Sequence, residues 1–161
     1  MKFTVLGAQD DPDAFYRKYY PMVYRVCFSY VKNEADALDM LQDTFMRWLE
    51  TDNKPQGERH ETAWLVVTAG NICRNHLKSF RISRREPIRD TDIVADCDPK
   101  AFELLEAVLR LPDKYKTAVF LYYYEGFDTR EIAELTKTKE STVRTHLKRA
   151  RAGLKGLLSE E

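Results

Sequence analysis

Apolar residues recur at helical spacing along nearly the whole chain, and no convincing stretch alternates apolar and polar with the period of two that a half-buried strand requires. That pattern confines the fold to the all-α class. With 161 residues, there is room for one ordinary domain or two small ones. Asp11-Pro12-Asp13 pairs an N-cap with Pro at the first helical position, and Pro21 is expected to start a second helix because proline disrupts a helix interior. Phe15, Tyr19, Val23, Val26, Cys27 and Tyr30 form a largely apolar side. Asn33 caps the next helix with Asp36 at the capping-box position, and Ala37, Leu41, Phe45, Trp48 and Leu49 form its core stripe. Thr51 to Glu61, with Pro55 and Gly57, is a loop, and a third helix is expected from about Thr62 to Phe80.

Ile82 to about Lys100 carries Pro87, Pro99, three changes of charge sign and no sustained apolar stripe, the composition of a flexible linker. Beyond it, Phe102, Leu105, Val108 and Leu109 open a helix. Pro112 starts another, with Tyr115, Val119, Phe120 and Tyr123 apolar, and Gly126 stops it. Asp128 and Glu131 form a capping box for a short helix containing Ile132, Ala133 and Leu135. A turn at Thr136–Thr138 leads to a last helix of about 18 residues, its buried side being Val143, Leu147, Ala150, Leu154 and Leu157. The expected organisation is two small helical domains, 1–81 and 101–161, joined by the linker 82–100.

Several function classes drop out. No apolar run approaches the ~18 residues of a membrane span, and Met1–Asp10 lacks the layout of a signal peptide, so no membrane insertion and a cytoplasmic location are expected. Cys27, Cys73 and Cys97 are too widely and unevenly spaced for a disulfide framework or a structural zinc site and are expected to be reduced packing residues. His60, His76 and His146 are scattered, and no P-loop, GxGxxG, GxSxG or HExxH occurs. The expectation is a chain with no catalytic residues, metal or cofactor, and not an enzyme.

The 26 basic residues cancel the 26 acidic ones, so any polyanion partner must be recognised by local charge. From Glu34 to Asp52 six acids face one base, and from Asn71 to Arg89 six bases face one acid. From Asp90 to Glu106 six acids again face one base, and from Lys137 to Lys155 seven bases face one acid. Solvated helix faces are the bland explanation of such blocks. Placed on a helical wheel, however, the third helix gathers Leu65, Val66, Ala69, Ile72, Cys73, His76, Leu77 and Phe80 on one side. Trp64, Val67, Asn71, Arg74, Asn75, Lys78 and Arg81 lie on the other. An aromatic ring, two amides and three cations suit phosphates, a stacked base and base edges, although Trp64 also fits a core position at a helix start. His76, on the apolar side, is expected to pack.

A short capped helix, a tight turn and a longer basic helix form the helix-turn-helix layout, whose second helix enters the major groove. Ser141, Arg144, Thr145, Lys148, Arg151 and Lys155 fall away from the apolar stripe, with Arg149 flanking. Arg bonds guanine O6 and N7 bidentately, Thr contacts a base edge or thymine methyl, and the other cations suit phosphates. A stand-alone helix-turn-helix regulator is the alternative function such a segment leaves open.

The segment Gly126-Phe127-Asp128-Thr129-Arg130-Glu131-Ile132-Ala133, followed by Ser141-Thr142-Val143-Arg144-Thr145-His146-Leu147-Lys148-Arg149-Ala150-Arg151, closely resembles region 4 of the sigma-70 family, in particular its small extracytoplasmic-function members. Glu34 to Trp48, with Leu41-Gln42-Asp43-Thr44-Phe45, resembles region 2.2, and Trp64-Leu65, Asn71 and Asn75-His76-Leu77-Lys78 resemble regions 2.3 and 2.4. The resemblance implies a promoter-specificity subunit of bacterial RNA polymerase, with core polymerase, promoter DNA and an anti-sigma factor as partners. It implies that Leu38, Asp39, Gln42, Asp43 and Met46 dock on the clamp coiled coil of the largest polymerase subunit, and that region 4 meets the flap of the second largest. It assigns capture of a flipped minus-10 base to Asn71 and Asn75, near the Lys54–His60 loop, on the face of Trp64, Arg74, Lys78 and Arg81. Minus-35 recognition falls to Arg144, Thr145, Lys148 and Arg149, with Ser141, Thr142 and Arg151 beside them. The family usually carries an acid where this chain has Leu38 and commonly a base where it has Gly70.

Overall fold

The structure, a computed structural model, describes residues 11–83 and 107–158, the side chains of 80–83 and 156–158 excepted. The opening Met1–Asp10, the linker from 84 onward, Cys97, Phe102 and Leu105 lie outside the described residues, as do the side chains of Arg81 and Leu157. Among the described residues the chain is helical, without a strand.

Three long helices form the first module: α1 (Pro12–Val31), α2 (Glu34–Glu50) and α3 (Glu58–Ser83). The Asp11 carboxylate accepts the Asp13 amide at 3.1 Å ahead of Pro12. Pro21 does not start a new helix, because α1 runs through it. Its missing amide leaves the carbonyl one turn earlier, that of Arg17, without a helical partner, and both residues lie on the exposed side, where water can hydrate that carbonyl. Asn33 Oδ1 accepts the Asp36 amide at 2.8 Å, and the Asn33 side-chain amide donates to the Asp36 carboxylate at 2.9 Å. The helix-starting contact is therefore present, while the Asp36 arm of the box meets the side chain of its cap residue. Leu49 departs from its expected core position: it is 57% exposed, and Met40 and Thr44 are buried in α2 instead. α3 begins four residues earlier than expected, after Gly57 at φ 91°, and ends at Ser83.

The second module begins in the described residues with helical 107–109, then α4 (Asp113–Val119), which widens into a π turn over Phe120–Tyr124. The Glu125 amide there reaches back five residues to the Phe120 carbonyl at 3.2 Å. Gly126, at φ 72°, ends it as expected. Tyr123 does not join the core: widening the turn rotates it outward, and it is 41% exposed. Asp128 and Glu131 complete a capping box for α5 (Thr129–Thr136), the carboxylate of Asp128 accepting the Glu131 amide at 2.8 Å and that of Glu131 the Asp128 amide at 2.9 Å. Lys137, at φ 54°, turns the chain into α6 (Glu140–Leu158). Val143, Leu147, Ala150 and Leu154 are buried as the periodicity required.

The two modules are in direct contact, their buried side chains joining in one continuous apolar cluster. Tyr30 Oη and Thr117 Oγ1 lie 2.7 Å apart at the junction, the Lys116 ammonium donates to the Ser29 carbonyl, and Arg59 pairs with Glu131 at 2.8 Å.

Candidate functional site

α3 is held by its apolar side. Leu65, Val66, Ala69, Ile72 and Cys73 are buried against α1 and α2, which turns the opposite side outward. Asn71, Asn75 and Lys78 are exposed there, Arg74 is half-buried, and the Arg74 guanidinium donates to Asn71 Oδ1. Trp64 does both things its position allowed. Its ring sits edge-on to buried Trp48 at 5.2 Å, while its free side lines a groove. Trp48 in turn stacks on Phe15 at 4.5 Å, so the indole that would meet a base is braced by two further aromatic rings. His76 is half-buried and lies 3.7 Å from the Asp36 carboxylate, linking α3 to the start of α2.

The groove measures about 440 Å³ and is walled on one side by Pro55, His60, Trp64, Val67, Asn71 and Arg74. The other wall belongs to the second module and includes Lys114, Thr117, Thr138 and His146. Burial, together with the nearby Lys114 and Arg149 charges, pushes the His146 imidazole below its ordinary value and so favours the neutral ring. Of the segment Lys54–His60, expected as a loop, the last three residues belong to α3, and Lys54 is occupied: its ammonium donates to the Thr51 carbonyl at 2.7 Å, capping the end of α2.

On α6, Ser141, Arg144, Thr145, Lys148, Arg149, Arg151 and Lys155 are all exposed, and Thr142 is half-buried. They form one basic surface. Arg144 is drawn to Glu140 at 2.7 Å, and Glu140 also accepts from Thr129 at 2.9 Å, which ties α6 to α5. The Thr145 hydroxyl donates to the Ser141 carbonyl at 2.9 Å. Arg149 lies against the Tyr115 hydroxyl and, by hydrogen bonding, holds that phenol below its usual range. On α2, Asp39, Gln42, Asp43 and the 53%-exposed Met46 share the outer side with half-buried Leu38.

Sequence reasoning missed Lys114, Thr138 and His146 as groove residues and Lys116 and Thr117 as the joint between the modules. Their signal was a polar pair, Lys116-Thr117, inside an otherwise apolar run from Tyr115 to Leu121. The structure also accounts for Gly70: a Cβ there would stand 2.6 Å from Thr117 Oγ1, closer than side-chain carbons pack. Among the described residues no helix is long and apolar enough to cross a membrane.

Two family models match this chain, Sigma-70 region 2 over residues 15–81 and Sigma-70 region 4 over residues 101–154. The RNA polymerase sigma factor SigV of Bacillus subtilis is 35% identical over 131 residues, spanning 79% of this chain and 78% of its own. CarQ, an RNA polymerase sigma factor of Myxococcus xanthus, is 29% identical over 161 residues, 96% of this chain and 92% of its own. Among solved structures, the sigma factor RpoE in complex with the anti-sigma factor NepR from Bartonella quintana superposes with a TM-score of 0.65 at 20% identity, over 91% of this chain and 98% of that one. CnrH in complex with the cytosolic domain of CnrY gives 0.62 at 22%, over 96% and 92%. Both support the same fold.

Proposed function

Since the chain belongs to the sigma-70 family, as an extracytoplasmic-function RNA polymerase sigma factor, we propose how its residues divide the work of promoter recognition. Residues 1–81 act as region 2, 82–100 as the linker and 101–161 as region 4, an assignment supported by the matches over 15–81 and 101–154. The outer side of α2, with Leu38, Asp39, Gln42, Asp43 and Met46, docks on the clamp of the core enzyme. Exposed Met46 beside exposed carboxylates gives that surface an apolar anchor within a charged rim.

Two basic surfaces then take two stretches of DNA. Region 4 reads the minus-35 duplex through α6: Arg144 and Thr145 reach base edges, and Lys148, Arg149 and Arg151 hold phosphates, with Ser141 and Thr142 at the helix start. Region 2 traps an unstacked minus-10 base against Trp64 with the amides of Asn71 and Asn75, while Arg74, Lys78 and Arg81 steady the strand. Capture of the extruded base drives melting, and the polymerase performs the chemistry. The factor itself is not an enzyme and needs no metal or cofactor. It works in the cytoplasm, where its polymerase is. The RpoE structure is a complex with the anti-sigma factor NepR and the CnrH structure a complex with the cytosolic domain of CnrY, and we infer that this chain is likewise held in reserve by an anti-sigma partner.

The observation that carries this reading is the braced Trp64 beside exposed Asn71 and half-buried Arg74 on one side of α3. It is tested by combining the Asn71→Ala variant with core polymerase on a responsive promoter and mapping single-stranded thymines with permanganate. Retained polymerase binding with lost melting supports it; unchanged melting refutes it.

A further inference from the structure

Arg144 is held in one direction although its side chain is 68% exposed: its Nη2 donates to Glu140 Oε1 at 2.7 Å. Lys148, Arg149 and Arg151, on the same basic surface, have no carboxylate partner among the described residues. The same Glu140 oxygen accepts the Thr129 hydroxyl at 2.9 Å. Thr129 is the first residue of α5, whose start is fixed by the Asp128–Glu131 capping box, and Glu140 is the first residue of α6. One carboxylate thus ties the guanidinium to the starts of both helices of the helix-turn-helix.

An acid four residues before a base ordinarily does no more than steady a surface helix, and an acid in the first turn also suits the helix dipole. Two features go further. Between Lys137 and Lys155 Glu140 is the one acid against seven bases, so it weakens the attraction of this surface for phosphates. The bond to Thr129 holds the carboxylate from outside its own helix, which a pair serving α6 alone does not need.

We propose that Glu140 is a positioning residue for minus-35 recognition, fixing the plane of the Arg144 guanidinium so that it meets guanine O6 and N7 already oriented. This rests on the base-reading role given to Arg144 above. The planar fork carries five N–H donors; the carboxylate takes one of those on Nη2 and leaves enough for two parallel bonds to a base edge. Rotamer freedom is lost before DNA arrives, so less is lost on binding. A base unable to accept both bonds leaves donors of the held guanidinium unpaired, because Arg144 is restrained from swinging to a neighbouring phosphate. Glu140 therefore lowers general affinity and raises selectivity.

In the test, holoenzymes assembled from core polymerase and the full-length chain select from duplexes randomised over the minus-35 element, and the bound fraction is sequenced. Arg144→Ala marks the position read by Arg144 through the base preference it removes. Glu140→Ala should reduce preference at that same position several-fold and leave the others unchanged. Glu140→Gln, which keeps an acceptor oxygen, should retain more of it, and Thr129→Val should give a smaller loss at the same place. In the Arg144→Ala background, Glu140→Ala should alter no preference further. A role confined to helix stability or net charge moves every position alike or none; either result overturns the proposal and leaves the reading of Arg144 standing. Arg144→Ala without effect at any position overturns both.

Discussion

The hydroxyls of Tyr30 and Thr117 meet at 2.7 Å in the interior, joining the end of α1 to α4 across 87 positions of sequence. Burial pushes the Tyr30 phenol up to about 12, so the pair remains a neutral hydrogen bond throughout the physiological range. Tyr30→Phe leaves the Thr117 hydroxyl unpaired and should cost about 1–3 kcal/mol, as should Thr117→Val from the other side. The double variant should cost less than the sum of the two, because both singles orphan the same bond. Urea unfolding of the four proteins checks this; strict additivity would mean that the two groups do not interact.

Stability should depend on pH through Lys116. Its folded value is about 8, held down first by burial, against 10.5 for an unburied lysine. Between those values the unfolded chain carries a proton on residue 116 that the folded chain lacks, so stability rises with pH across the window, by roughly 3 kcal/mol in full. Below pH 8 both states are protonated and the contribution is flat. The groups facing Lys116 are Asp113, Lys32, Cys73 and the Tyr30 ring. Cys73 is pushed upward by its contact with Cys27 and by burial, so it does not titrate in the window. Denaturant midpoints from pH 7 to 9.5 should therefore climb for wild type and lose this rise in Lys116→Met.

Much of the helical plan was legible because it rests on local chemistry. The caps at Asp11, Asn33 and Asp128, the stop at Gly126 and the buried stripe of α6 all follow from nearest-neighbour hydrogen bonding and a 3.6-residue period. What escaped was decided elsewhere. Pro21 stays inside α1 because its side of the helix faces water, Leu49 is exposed because Met40 and Thr44 take the buried places of α2, and Tyr123 is exposed because the π turn over Phe120–Tyr124 breaks the 3.6-residue period. Charge runs and Trp64 indicated which sides of α3 and α6 to consider: that of α6 is exposed, while that of α3 is exposed at Asn71, Asn75 and Lys78 and forms a groove wall at Trp64, Val67 and Arg74. The junction between modules left one local mark, the polar pair Lys116-Thr117 in an apolar run, but its partner, a carbonyl 87 positions away, leaves no periodic trace.

The Asp128 cap should matter to the helix-turn-helix as a unit. Removing its carboxylate in Asp128→Ala strands the Glu131 amide and costs ~1 kcal/mol. Amide hydrogen exchange should speed up in α5 by a corresponding factor of about five, with α1 and α2 unaffected. Equal acceleration everywhere would show that the cap does not act locally.

Arg144→Ala should weaken upstream DNA binding by the polymerase-bound factor by ~1–3 kcal/mol and relax base preference at one position of the minus-35 element. Lys148→Ala should instead weaken all sequences alike and lower the slope of binding against salt by about one ion. Electrophoretic titrations at several salt concentrations separate the two. A uniform, salt-dependent loss for Arg144→Ala would return that residue to phosphate contact.

The most direct measurement is run-off transcription by purified core polymerase with and without this chain on a genomic template library, with the 5′ ends of the products sequenced. A new set of start sites that share an upstream and a downstream element, disappearing with Asn71→Ala and with Arg144→Ala, is the expected result. Core polymerase that binds the chain yet starts from the same sites as before contradicts the account.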